Sequence, residues 1–210
     1  MMPVSSIDSD GCQASKSTMT AIVVVAMVTQ LTAGLPLLKA QSTKGPLPPP
    51  DEVYQGIRRM ALQATRSHVR IPPLTSPIDL PAAAAPTTPW GVVMDWAVGN
   101  QTATLVAFSD GSANIYLSVG GGFAGGGEPM RKIARRAVAV AADAQPKMKL
   151  TNFYPLPHGN EVFFYLLTDA GVFTGSASQS ELNTEQHPLS QLGDAMQEII
   201  TWYRNQGNNK

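Results

Sequence analysis

The residues best equipped for chemistry lie in the run SVGGGFAGGGEPMRK, from Ser118 to Lys132. Six of the eight residues from Gly120 to Gly127 are glycine, and a helical pattern starts directly after them. Gly120, Gly122 and Gly125 satisfy G-x-G-x-x-G, the spacing that lets backbone N–H groups approach a pyrophosphate at a helix N-terminus. Gly126 and Gly127 extend the candidate loop. Behind it, Arg131, Lys132, Arg135 and Arg136 set four cations along one flank of the next helix. Three uses compete. The amides could form a nest for an anion. The loop and the basic flank could close on an acidic protein partner. The plainest use is an exit from a strand, where glycine supplies backbone angles that other residues avoid.

Several chemistries are disfavoured. A dinucleotide site needs a parallel βαβ unit, and the strand before this loop reads as part of an antiparallel meander. The acid expected about twenty residues on would be Asp143, inside a helix rather than at a strand end. Glu128 at the helix start would repel a phosphate, and no Gly-Lys-Ser/Thr follows. His68, His158 and His187 are scattered, and there is no G-x-S-x-G around Ser176 or Ser178. Neither H-x-x-x-H nor H-E-x-x-H occurs, and Cys12 is the only cysteine. Asp95, Asp110 and Asp169 read as strand or turn residues. The expectation is a protein that is not an enzyme, with no metal and no cofactor.

The elements that must carry these residues follow from patterning. The 17 prolines crowd into KGPLPPPDE (44–52) and a second stretch at 70–90. Proline removes a donor and fixes φ, so both read as extended linkers. Residues 1–50 divide into a polar tail, an apolar segment and a Pro-rich linker. The apolar segment, 20–38, is uncharged and approaches the length that spans a bilayer. It reads as a membrane anchor, as a cleaved signal peptide with a poor cleavage site, or as an extension from a misassigned start. The first two imply a membrane-anchored or exported protein, the third a cytoplasmic one. The 15 basic and 15 acidic residues balance to zero net charge, which argues against nucleic acid as a partner.

Residues 51–69 predict a helix, with Val53, Ile57, Met60 and Ala64 as its buried stripe. Strands are expected at 90–98, 102–109 and 113–119, with Asp110-Gly111 as a hairpin turn. A helix at 128–144 follows, with Ile133, Ala137, Val140 and Ala144 as a small-residue stripe. Strands then return at 150–157, 161–168 and 172–178, and a last helix covers 187–205. The strand EVFFYLLT is apolar on both faces and belongs in the sheet interior. The fold class is α+β: a mainly antiparallel sheet from two three-stranded meanders with covering helices, α-βββ-α-βββ-α. One domain spans 51–205, the 70–90 linker lies within it, and 206–210 is a tail.

This order of elements resembles the profilin-like folds, especially the roadblock and longin group, over roughly 51–205. The run DGSANIYLSVGGGFAGGGE is also similar to one in small uncharacterised bacterial proteins. The roadblock resemblance implies a non-enzymatic scaffold, often dimeric, that pairs with small GTPases or other regulators. The expected function is therefore an interaction or regulatory module whose partner is a protein, including a second copy of itself. The alternative is a small-ligand or nucleotide sensor that uses Gly120 to Gly127.

Overall fold

The computed structural model describes residues 49–69 and 85–207. All of them belong to one compact unit. The apolar segment 20–38 and most of the 70–90 linker lie outside the described residues. Among those described, no helix is long and apolar enough to cross a membrane.

Seven strands form one antiparallel sheet: β1 (Gly91–Val98), β2 (Gln101–Phe108), β3 (Ala113–Leu117), β4 (Gly122–Ala124), β5 (Lys149–Thr151), β6 (Glu161–Thr168) and β7 (Gly171–Ser178). Their spatial order is β4-β3-β2-β1-β6-β7-β5, so the protein is α+β with an antiparallel sheet. β1 to β4 form a run of hairpins. The expected three-stranded first half gains a fourth strand because Gly122, Phe123 and Ala124 pair with Tyr116, Ile115 and Asn114. The second half is not a simple meander. β5 pairs with β7, and β6 lies between β1 and β7. β5 is also much shorter than the strand expected at 150–157. Pro155 and Pro157 lack the N–H a ladder needs, and Arg58 occupies the carbonyls of Tyr154 and Pro155.

Strand alternation divides the side chains between two faces. One face carries Val92 and Met94 from β1, Leu105 from β2, Ile115 from β3 and Phe164 and Leu166 from β6. It packs beneath α2 (Gly127–Ala144) and α4 (Ser190–Gly207). α2 buries Ala134, Ala137, Ala141 and Ala144, small residues that let the helix lie close. Ile133 and Val140 are half-buried at its edge. Along α4, Leu192, Met196 and Ile199 are buried and Ile200 and Tyr203 partly so, as its periodicity predicts. A four-residue helix, α3 (Gln179–Leu182), links β7 to α4 and is capped reciprocally by Ser178 and Glu181.

The second face carries Val93, Val106, Tyr165 and Leu167, with Trp90 at its rim. It lies under α1 (Glu52–Leu62), whose N-cap Asp51 accepts hydrogen bonds from the amides of Val53 and Tyr54. Two expectations fail here. The helix ends at Leu62, and a separate 3₁₀ turn, Arg66–His68, follows an extended Thr65. The buried stripe is also a different one. Val53 and Met60 are 68% and 73% exposed, while Tyr54 and Leu62 are buried. The reason lies beneath the helix. At that point the sheet presents Asp95 and Thr104, and α1 rotates Tyr54 and Arg58 down to meet them.

Candidate functional site

Asp95 sits in the middle of β1 and is fully buried. An isolated carboxylate there would be prohibitively costly, so it must be paired. Arg58, one turn after Tyr54 on α1, supplies the pairing. Its Nε and Nη2 donate to Asp95 Oδ2 at 2.8 and 2.5 Å. The other carboxylate oxygen, Oδ1, accepts from the Thr104 hydroxyl at 2.5 Å. Because Thr104 spends its only proton there, Tyr54 must donate to Thr104 Oγ1, 2.7 Å away.

The remaining Arg58 donors reach across to the segment 152–156. Nη1 donates to the carbonyl of Tyr154 at 3.1 Å, and Nη2 to that of Pro155 at 3.0 Å. Tyr165, on β6, donates its hydroxyl to the same Pro155 carbonyl at 2.9 Å. The guanidinium carbon stands 5.8 Å from the Tyr165 ring centroid, within cation–π range. Tyr154 meets that ring edge-on at 5.6 Å. One arginine thus holds α1, two strands and an irregular segment in a fixed relation.

The electrostatics follow from burial. Loss of water pushes the Asp95 carboxyl above its usual range, against the opposing pull of Arg58 and the Thr104 hydroxyl. Burial opposes the Arg58 charge most strongly, but the Asp95 charge and hydrogen bonds, with Tyr165 and Tyr54 beside them, together raise the arginine above its usual value. Tyr54 is pushed up to about 12, by burial first and by the Asp95 charge second. Tyr165 moves the same way for the same two reasons. The cluster is a satisfied polar latch rather than an acid–base pair awaiting a substrate. Each oxygen of the carboxylate is already bonded.

The latch fixes the walls of a groove of about 540 Å³ between α1 and the segment 152–156. Tyr54, Leu62, Phe153 and Tyr154 give it apolar and aromatic surface, and Gln63, Asn152 and Arg59 give it polar surface. Phe153, in the lining of this groove, is 72% exposed.

The residues singled out from sequence fall elsewhere. Ser118 and Val119 form the turn of the β3–β4 hairpin, and Gly120 and Gly121 close it through hydrogen bonds with Leu117. Gly122 opens β4, and Gly125, Gly126 and Gly127 lead from the far end of that strand into α2. The pairing of Gly122 with Tyr116 and of Ala124 with Asn114 places the two glycine groups at opposite ends of β4. They do not converge at the helix N-terminus, as a phosphate cradle requires. Phe123 stacks on Tyr203 at 5.4 Å, and the single Tyr203 hydroxyl proton goes to the carbonyl of Gly125 at 2.5 Å, with the carbonyl of Ala113 at 3.1 Å.

The basic flank is partly occupied. Arg135 donates to the carbonyl of Asp110 at 3.2 Å, and Arg136 pairs with Glu198 at 3.0 Å. Arg131 packs against the Asp110-Gly111 turn. Arg131 and Lys132 are exposed and pair with no acid among the described residues. Two histidines serve as caps: the His68 ring accepts from the Thr65 amide, and the His187 ring accepts from the Leu189 amide. Among the described residues, no group of three or more His, Cys, Asp or Glu could hold a metal ion.

Sequence reasoning missed the latch, although two signals carried it. Tyr54, Arg58 and Leu62 share a face at i, i+4, i+8, and Asp95 is a lone carboxylate inside a strand that is apolar on both faces. No family model, curated protein or solved structure matches the chain.

Proposed function

We propose that the protein is a non-enzymatic interaction module that contacts a protein partner through the groove between α1 and the segment 152–156. The observation carrying this reading is the exposure of Phe153 at a groove whose two walls are fixed by Arg58. Phe153 together with Tyr154, Leu156 and Leu62 gives the groove a grouped apolar lining on a rigid frame, which favours an interface. The basic flank supports the reading less well, since Arg135 and Arg136 already have partners within the chain. The glycine loop supports it less well too, since the amides of Gly120 and Gly125 are bonded within the chain and Phe123 is stacked on Tyr203 of α4. The roadblock-like order of elements implies the same kind of function. A groove of this volume also lies in the range of small-ligand sites, which keeps a ligand sensor as the second reading.

The test is site-directed photocrosslinking in cells that express the full chain. A photoreactive phenylalanine analogue replaces Phe153 in one variant and Lys132 in another. A discrete product from position 153 alone supports the groove. A product of twice the chain mass would identify the partner as a second copy. Crosslinking only from position 132 would move the interface to the basic flank. No product from 153 would sink the reading.

A further inference from the structure

We propose that the occupant of this groove is an extended acidic peptide, with an apolar side chain seated against Phe153 and Tyr154 and a carboxylate paired to Arg59. The inference rests on the groove being an interface and adds what the interface selects. Charge carries it. The groove is lined by Arg58 and Arg59 and by no aspartate or glutamate. Arg58 is spent on Asp95 and on the carbonyls of Tyr154 and Pro155. Arg59 is exposed, and among the described residues it has no ion-pair partner. A cation at a groove with no acid in its lining selects a partner that brings one.

Shape argues for a chain rather than a compact molecule. The lining runs from Pro50 through Gln55 and Arg59 to Gln63, the whole length of α1. Eleven helical residues rise about 16 Å, the span of roughly five residues of extended chain. Gln63 and Asn152 lie at the wall with side-chain amides that can both donate to and accept from a peptide backbone. Phe153 and Tyr154 offer ring surface for one apolar anchor, the usual energetic centre of such contacts.

The experiment uses the full chain and three fluorescein-labelled octapeptides. Each has Phe and Leu at its fourth and seventh positions, with Glu, Gln or Lys at all the others. Fluorescence anisotropy should show the Glu peptide binding at least roughly tenfold more tightly than the Lys peptide, with the difference shrinking as salt rises. Arg59→Glu should weaken the Glu peptide by roughly tenfold and leave the unfolding midpoint unchanged. Phe153→Ser should weaken all three. Equal binding of the Glu, Gln and Lys peptides, all lost in Phe153→Ser, would overturn the acidic preference and keep the groove. Binding unaffected by Phe153→Ser, or no binding by any peptide, would overturn both.

Discussion

Arg58 and Asp95 meet through a single carboxylate oxygen. Both Nε and Nη2 of Arg58 donate to Oδ2, at 2.8 and 2.5 Å, and Oδ1 is left to Thr104. Asp95 is fully buried with both oxygens bonded, and Arg58 is nearly buried with four bonds, so the two halves are not independent. Arg58→Met should cost about 3–5 kcal/mol, because it strands a buried carboxylate. The double change Arg58→Met with Asp95→Leu should recover most of that loss, because two apolar side chains replace two charges. Urea unfolding of the two variants measures both effects. A double variant no more stable than the single one would show that the pair contributes more than its desolvation costs.

Two tyrosines, Tyr54 at the latch and Tyr203 on α4, set an alkaline limit. Burial raises Tyr54 and Tyr203 from 10 to about 12 in the folded chain. Between those values the unfolded chain releases protons that the folded chain retains. Their contribution to stability is therefore complete below pH 10 and is lost as pH rises through 12. The unfolding midpoint should fall across that window. Phenolate absorbance should lag behind the titration of free tyrosine and then rise together with unfolding.

The glycine loop gives a sharper contrast. Gly120 has φ of 97° at the hairpin turn, with open space where a Cβ would go. Gly120→Ala should cost only the strain of a left-handed residue, about 1–2 kcal/mol. A Cβ at Gly122 would instead strike the carbonyl oxygen of Ile115 on the paired strand. Gly122→Ala should cost about 3 kcal/mol and raise hydrogen exchange across β4. Equal, small losses at the two positions would mean that β4 does not pair as described.

The outer architecture was legible because its signals are periodic and local. Alternation marked β3, apolar runs of β-forming residues bounded by turns marked β1 and β6, and the 3.6-residue stripe from Leu192 to Ile199 marked α4. Asp110-Gly111 marked the first hairpin. What could not be read was which elements meet. Gly122 to Ala124 became a strand because β3 offered an open edge, and no local propensity favours a strand in so glycine-rich a run. β5 went to the far side of β7, a choice made by tertiary packing. The latch was hidden for a related reason. Arg58 looks like a solvated helix residue and Asp95 looks like an exception in a strand until the two, 37 positions apart, are placed together.

The same placement decides which face of α1 matters to stability. Periodicity alone selected Val53, Ile57, Met60 and Ala64, yet Leu62 is buried with Val93 and Trp90 while Met60 is 73% exposed. Leu62→Ala should therefore cost about 2–5 kcal/mol through lost burial and the cavity it leaves. Met60→Ala should change stability by no more than about 0.5 kcal/mol, as an exposed substitution in a good helix position. Chemical denaturation of the two variants measures the difference. A large loss at Met60 would mean that the exposed stripe is covered in solution, and that α1 carries an interface on its second side as well as on the groove.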